Sequence, residues 1–482
     1  MPRRVLFVES RNRTPHLETS LELVEQYLRQ GDHVDFYFLG HQLPFREGVS
    51  RFPPYSPLDK LPEKVGIESL AHPNLRYRTI GAPLPTPRLN RTFDELTQLQ
   101  QFTYRDAPLG LGVASSLVTK LFDSQPDLHE HRELVNDMLN SAAAVFDFTR
   151  RMIARRKIDR VVVFNGRFCN TRPVAEAARQ AGVELLFHER GSSRNHYWVG
   201  DYMPHDRLRR QVEIKELWER VGHEPKSIEL AKRFYEDRRG GLEQAWHSYT
   251  TDQEAGRLPA GLGPREQTIS YFSSSDDEYV SVGDYYRWEG WRDQLEAVEQ
   301  LCAAMPSDKR LVIRIHPHLT KKAPAELERW LAFEQRENVI VVRPDSPVDT
   351  YALIEASALV TTCLSTVGIE APYWGVPSIA LGPSGYSEMG VCETVSDAGR
   401  LREVLTSPPP VPSNRSGILA FGYYCQTFGI PFRTFEPSAL AVGTWKGVNL
   451  QRNCPRHKEP IEPIGWRTKL GWWAQRFLPL GV

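Results

Sequence analysis

Residues 310–318 read RLVIRIHPH, residues 338–346 read NVIVVRPDS, and residues 353–385 read LIEASALVTTCLSTVGIEAPYWGVPSIALGPSG. Short apolar runs alternate here with stretches of helical period, so the segment predicts strand, loop and helix repeated through Gly385. That order implies parallel strands joined by right-handed crossovers, with helices covering the sheet. In such a sheet ligands bind beyond the carboxyl ends of the strands. The His316-Pro317-His318 loop, the Ser365-Thr366 turn and the Gly382–Gly385 loop are expected to gather there.

Working toward the N-terminus, RVLFV (4–8) reads as a buried strand. HLETSLELVEQYLRQ (16–30) reads as a helix closed by Gly31, and residues 34–39 as a second strand. NLRYRTIG (74–81) is a further strand, residues 94–157 are mostly helical, and IDRVVVFNGR, PVAEAARQAG and VELLFHERGS supply strand, helix and strand. Two α/β halves follow, both doubly wound. The Gly- and Pro-rich stretch DQEAGRLPAGLGPRE (252–266) is the expected boundary, giving domains at 1–250 and 265–430 and a C-terminal extension at 431–482.

The 482 residues suffice for two or three cores. Lys plus Arg (60) equals Asp plus Glu (60), which gives no reason to expect a nucleic-acid partner. The N-terminal apolar run is too short for a signal peptide, and no run of about 18 apolar residues predicts a spanning helix. The six Cys at 169, 302, 363, 392, 425 and 454 show no CxxC pair, so free thiols in a reducing cytoplasm are expected. The tail carries Trp466, Trp472, Trp473 and Phe477 among Arg467, Lys469 and Arg476. It is expected to pack back on the protein, a peripheral membrane contact being the alternative.

A His at a strand end can donate to a phosphate or protonate a leaving group, and the following Pro fixes its turn. His316 is the stronger candidate, with Arg314, Pro317 and His318 beside it. Ser365 and Thr366 precede the helix VGIEAPYWG, where hydroxyls and free amides suit an anion; a plain N-cap is the bland alternative. Glu370, on that helix, is expected to face the crevice and accept from ribose hydroxyls. Ser274 and Ser275, in SSSDDE (273–278), suit a phosphate loop or a cap better than a metal site, and no metal is expected. In the first half, Asn165, Arg167, Glu189 and Arg190 fall at strand ends. Glu189 is the candidate acid–base carboxylate; an ion pair with Arg167 or Arg190 is the structural alternative. GxGxxG is absent after the first strand, so no dinucleotide cofactor is expected.

The His-Pro after a strand, followed by (S/T)xxGxExxxxGxP, resembles the GT-B glycosyltransferases, whose two Rossmann-like domains face a cleft. FNGR, HERGS, IRIHPH and LSTVGIEAPYWGVPSI together resemble capsule polysaccharide biosynthesis proteins, including Kdo transferases that use a CMP-activated sugar. The resemblance implies a cytoplasmic, metal-independent transferase, peripheral at the inner membrane if the tail binds there. It also implies a nucleotide sugar as substrate and a polysaccharide or glycolipid acceptor. The donor's nucleotide and phosphate would lie on His316, Pro317, Ser365 and Thr366. Other classes share the motif: nucleotide-sugar 2-epimerases, which carry two Glu where this chain has Glu370 alone, glycerophosphotransferases, and non-catalytic proteins that bind a polysaccharide precursor.

Overall fold

The computed structural model describes residues 2–10, 13–39, 43–47, 61–79, 84–244, 249–276 and 279–451. The Trp-rich tail, together with Asp277 and Glu278 of the acidic run, therefore lies outside the described residues. The chain divides into two units: residues 1–117, 125–204 and 429–482 form the first, and residues 118–124 and 205–428 the second.

In the first unit the elements are β1 (Arg4–Glu9), α1 (His16–Arg29), β2 (His33–Phe38), α2 (Leu61–Glu68) and β3 (Leu75–Thr79). They continue with α3 (Leu96–Gln100), α4 (Leu109–Leu121), α5 (Arg132–Arg156), β4 (Arg160–Phe164), α6 (Arg172–Ala181), β5 (Glu184–Arg190) and β6 (His196–Gly200). Strands β3-β2-β1-β4-β5 pair in that order, all parallel, with β6 antiparallel on β5. Val161, Val162 and Val163 are fully buried, as an all-apolar run in a sheet covered on both faces requires.

The second unit has α7 (Arg207–Val221), α8 (Pro225–Arg239), β7 (Thr268–Phe272), α9 (Gln294–Ala304), β8 (Arg310–Arg314), α10 (Pro324–Leu331) and β9 (Val339–Val342). It then has α11 (Thr350–Glu355), β10 (Leu359–Thr362), α12 (Val367–Tyr373), β11 (Ser378–Ala380), β12 (Glu393–Thr394), α13 (Ala398–Thr406) and α14 (Ser416–Thr427). Its sheet runs β12-β11-β10-β7-β8-β9, entirely parallel. Both sheets thus have Rossmann-like order, reversing between the first and fourth strand of each unit. Ligand crevices form at that reversal.

The boundary differs from the sequence reading. Helices α7 and α8 belong with the second sheet, because Ile214, Phe234 and Tyr235 share one apolar cluster with Ile369, Tyr386, Ile418 and Phe421. Tyr235 donates to the Ile418 carbonyl at 2.6 Å. At Gly422, α14 comes so close to α8 that a Cβ would strike the Ala231 carbonyl. The crossing therefore falls after Pro204, well before the Gly-rich stretch at 252–266.

The chain returns to the first unit at Gly429; the extension was expected to pack back on the protein, though not onto this unit in particular. β13 (Ile430–Pro431) adds antiparallel to β6, and β14 (Phe435–Ala439) pairs with β15 (Val442–Trp445). Phe435 and Trp445 join the core of β1, β2 and α1. Glu22 of α1 binds the returning chain: its carboxylate accepts from the amides of Arg433 (2.8 Å), Thr434 (3.1 Å) and Phe435 (3.2 Å). Hydrogen bonds to a buried charge are each worth about 1.5–3 kcal/mol. Glu22→Ala is expected to destabilise the protein by at least ~2 kcal/mol in denaturant titration and to admit protease near residues 429–436. Unchanged stability with an unchanged cleavage pattern would remove this clamp from the account.

Candidate functional site

Strand β8 ends at Arg314, and a 3-10 turn at Pro317–Lys321 follows it. The main-chain amide of His316 donates to Ser273 Oγ at 2.8 Å, which ties the loop after β8 to the end of β7. The His316 ring caps the turn: Nδ1 accepts from the His318 amide at 3.1 Å. That role leaves Nδ1 unprotonated and puts the ring proton on Nε2, so this nitrogen is the one able to donate. Proline after His316 starts the turn without needing an amide donor.

His316 lines a cavity of about 130 Å³ lying wholly within the second unit. Arg314, Pro317, Ser365, Thr366 and Glu370 also line it, so six residues singled out in the sequence converge there. Three others do not. His318 turns toward Ser275 (Nδ1 to Oγ, 3.2 Å) and packs edge-on against Phe122. Ser274 is held by Gln294 through its amide (2.7 Å) and carbonyl (3.2 Å). The serine that reaches the cavity is Ser273. Gln294 also donates to Asp276 at 2.8 Å, so the start of the acidic run helps order this loop. Among the described residues no group of three or more His, Cys, Asp or Glu could hold a metal ion.

Two guanidinium groups line the cavity, and their surroundings differ. Arg238 of α8 donates through Nε to Glu370 Oε1 at 3.0 Å and through Nη2 to Thr366 Oγ1 at 3.1 Å. Glu370 also accepts from Thr366 Oγ1 (2.7 Å) and, on Oε2, from Tyr351 (2.6 Å). Burial first, then the adjoining Glu370 carboxylate, raises the Tyr351 phenol well above its ordinary range. Glu370 therefore lines the cavity as a buried, multiply bonded carboxylate, 1 % exposed.

Arg314, 3 % exposed, has no such partner. Nη1 donates to the Arg343 carbonyl (2.7 Å) and Nη2 to the Ser346 carbonyl (3.2 Å), while Nε has no acceptor. Among the described residues no carboxylate lies within ion-pair distance of it. Burial pushes its pKa down to about 10, offset only in part by Asp345. A buried cation held by neutral carbonyls beside a cavity is placed to receive an anion.

Helix α12 is only seven residues long and contains Pro372. Thr366 precedes it without capping it, its hydroxyl being committed to Glu370. The turn is fixed from elsewhere: Ser365 Oγ accepts from the Val367 amide (3.3 Å), and Tyr386 donates to the Ser365 carbonyl (2.6 Å). Gly368 makes that last contact possible, since a Cβ there would collide with the Tyr386 hydroxyl and lie 2.7 Å from Thr362 Cγ2.

The first unit gathers its own polar groups at the ends of β1, β4 and β5. Asn165, in the left-handed region at φ 57°, donates through Nδ2 to Glu189 Oε2 at 2.6 Å. Glu189 Oε1 accepts from the Arg190 amide at 3.0 Å and lies 3.8 Å from His16 Nδ1. The partners seen for Glu189 are thus Asn165, an amide and His16; the Arg190 contact is made by its main chain. Arg167 is buried, with its guanidinium 4.5 Å from the centroid of the Phe168 ring. Deeper in, Glu18 is almost fully buried and accepts from Thr14 at 2.7 Å, and its second oxygen has no partner. Burial pushes its pKa up to about 7.

Arg238 and Tyr351 were not singled out in the sequence. Arg238 lies 132 positions from Glu370, and its one local sign is an Arg pair ending an amphipathic helix. The lone Glu370 was the better clue, because a buried carboxylate needs a cation.

No family model matches the chain, and no curated protein does. Solved structures that are similar include the Thermosulfurimonas dismutans KpsC beta Kdo 2,4 transferase, at 15% identity over 55% of this chain and 79% of that one, TM-score 0.36. A putative UDP-N-acetylglucosamine 2-epimerase of Listeria monocytogenes is 14% identical over 90% of this chain and 93% of that one, TM-score 0.27. Acinetobacter baumannii MurG is 12% identical over 88% and 95%, TM-score 0.27. The Rossmann-like order of both units stands on the chain's own strand pairing.

Two outcomes follow from these contacts. Gly368→Ala is expected to cost about 1–3 kcal/mol through overpacking, read by thermal denaturation; a neutral result would mean Tyr386 moves freely. Glu18 has a folded-state pKa raised above its ordinary 4.5, so its burden on the fold grows as pH rises from 4.5 to about 7. Glu18→Gln is therefore expected to exceed the parent in stability at pH 8, by at most ~3 kcal/mol, and to match it near pH 4.5. An equal difference at both pH values would refute that assignment.

Proposed function

We propose that this chain is a metal-independent glycosyltransferase that moves a sugar from a nucleotide-activated donor onto a bacterial surface polysaccharide or glycolipid. The observation that carries this reading is Arg314, a buried cation without a carboxylate partner at a cavity shared with His316, Ser365 and Thr366. When the sugar leaves, negative charge develops on a phosphate oxygen of the nucleotide. Arg314 and the Nε2 proton of His316 are prearranged donors for that charge, and such prearrangement lowers the barrier without reorganisation. Glu370 Oε2 accepts from Tyr351 alone among the described residues, which leaves an acceptor position for a ribose hydroxyl.

In this reading the first unit supplies acceptor recognition through Asn165, Arg167 and Arg190, and Glu189 takes the proton of the attacking hydroxyl. A CMP-activated sugar such as CMP-Kdo is the donor proposed first, and a cytoplasmic site of action goes with a nucleotide-activated donor. The epimerase reading is weaker, because Glu370, the one carboxylate lining the cavity among the described residues, is already bonded to Arg238, Tyr351 and Thr366.

The test is a thermal-shift panel of CMP, CDP, UDP and GDP with the parent chain and Arg314→Gln. A ligand at about 100 times its Kd stabilises a fold by ~2.7 kcal/mol. CMP is expected to give the largest shift, and Arg314→Gln to weaken nucleotide binding by about 10-fold or more. His316→Gln should lower transfer more than donor affinity. Preference for UDP or GDP would redirect the donor assignment. Absence of any shift, or equal shifts in parent and Arg314→Gln, would overturn the nucleotide site.

A further inference from the structure

The chain carries no net formal charge, yet its cations are unevenly placed. Arg150, Arg151, Arg155 and Lys157 are exposed along and just beyond the last two turns of α5. Arg76 and Arg78 alternate on β3, the edge strand of the first sheet. Pairing of β2 with β3 sets Arg76 opposite Asp35 and Arg78 opposite Tyr37. The end of α5 meets the same sheet face: Arg156 Nε lies 3.1 Å from Asp35, and the Phe148 ring is 5.3 Å from that of Tyr37. Burial raises the Tyr37 phenol, with Asp35 adding to it and Arg76, Arg156 and Arg78 opposing it, so these charges share one neighbourhood.

Asp35 is matched by Arg156, and Asp32 and Asp159 accept from the amides of Arg3 and Arg4. No carboxylate lies within ion-pair distance of Arg76, Arg78, Arg150, Arg151, Arg155 or Lys157 among the described residues. Six cations without a carboxylate partner among the described residues thus lie on β3 and at the end of α5, two elements that meet the sheet at Asp35 and Tyr37. The α5 part of this face lies toward the amino ends of β1 and β4, as the Arg4–Arg156 contact shows, whereas Asn165 and Glu189 lie at the carboxyl ends. That part is consequently at the other end of the sheet from the first unit's polar crevice.

We propose that this α5–β3 face docks the protein on an anionic membrane surface. Lipid phosphates match its chemistry: arginine forks pair with phosphate oxygens, and each cation at such a surface strengthens binding about five-fold. The aromatic rings here, Phe146 and Phe148, are buried beneath the cations. Sugar polymers and single-stranded nucleic acids are held on exposed aromatic faces, so a bilayer fits this surface better. Such docking would hold a glycolipid acceptor's membrane within reach independently of the tail.

The experiment is vesicle co-sedimentation of the full chain at low salt. Parent protein is expected to bind vesicles of phosphatidylcholine with 30 mol% phosphatidylglycerol (about one lipid in three), to ignore pure phosphatidylcholine, and to release in about 0.5 M NaCl. Arg76→Gln, Arg78→Gln, Arg151→Gln and Arg155→Gln combined should weaken binding by about 100-fold or more. The matching set of four Lys changes should retain it, and Lys215→Gln, Arg220→Gln, Lys226→Gln and Lys232→Gln combined should leave it unchanged. Parent-like binding by the four-Gln variant, loss with the four Lys changes, loss in the α7–α8 set, or no binding by the parent would overturn the proposal. So would tighter binding of the parent to polygalacturonate or duplex DNA than to the vesicles. Because nucleotide shifts are read separately, failure here leaves the transferase reading standing, and the reverse also holds.

Discussion

The second unit depends on how two guanidinium groups at one cavity, the buried Arg314 and the half-buried Arg238, are neutralised. Arg238 meets a carboxylate, and the pair is reinforced by Thr366 and Tyr351. Breaking such a pair from one side leaves an uncompensated buried charge, typically ~3–5 kcal/mol. Arg314 is instead solvated by two main-chain carbonyls, an arrangement that tolerates a cation but does not neutralise it. In the nucleotide-site reading proposed above, an anion would supply the charge that Arg314 lacks. The satisfied pair fixes the walls against which that anion would sit.

The strand order places this chemistry. With β7 between β8 and β10, the loops after all three strands open on the same end of the sheet. Ser273, His316 and Ser365 come from those three loops, and none is close to another in sequence. The same order in the first unit brings His16, Asn165 and Glu189 together from the loop after β1 and the ends of β4 and β5. Each crevice follows from a reversal in winding, so side chains from distant segments become neighbours without any special loop.

The alternation of apolar runs and helical periods was legible because the central parallel strands are covered on both faces and are mostly apolar. RLVIR, TISYF and RVVVF left little alternative. Arg314, His316, Ser365 and Thr366 were legible for a related reason: polar residues abutting a buried strand can only emerge at its end. The misreadings came from long-range packing. Glu370 lies on the expected helix, but its environment is set by Arg238 and Tyr351, which no local pattern links to it. His318 and Ser274 differ from their neighbours by one step of backbone, and that step turns them from the cavity toward Ser275 and Gln294. How residues 429–451 seat on the first unit was hidden because the two-residue β13, the Glu22 carboxylate accepting three amides, and Phe435 and Trp445 entering the core leave no periodic trace.

In the proposed nucleotide site, the contacts of the Ser365-Thr366 turn would bear on binding and not only on stability. An unsupported loop offering hydroxyls to a phosphate would have to be ordered by the ligand, at a cost in affinity for each side chain immobilised. Here the ordering precedes the ligand. Tyr386 holds the Ser365 carbonyl, Arg238 holds the Thr366 hydroxyl, and the missing Cβ of Gly368 lets the tyrosine approach. The residues around the turn are therefore as much a part of the site as those within it. A short helix interrupted by Pro372 can serve, because its first turn is positioned by side chains from α8 and the Tyr386 loop rather than by its own capping.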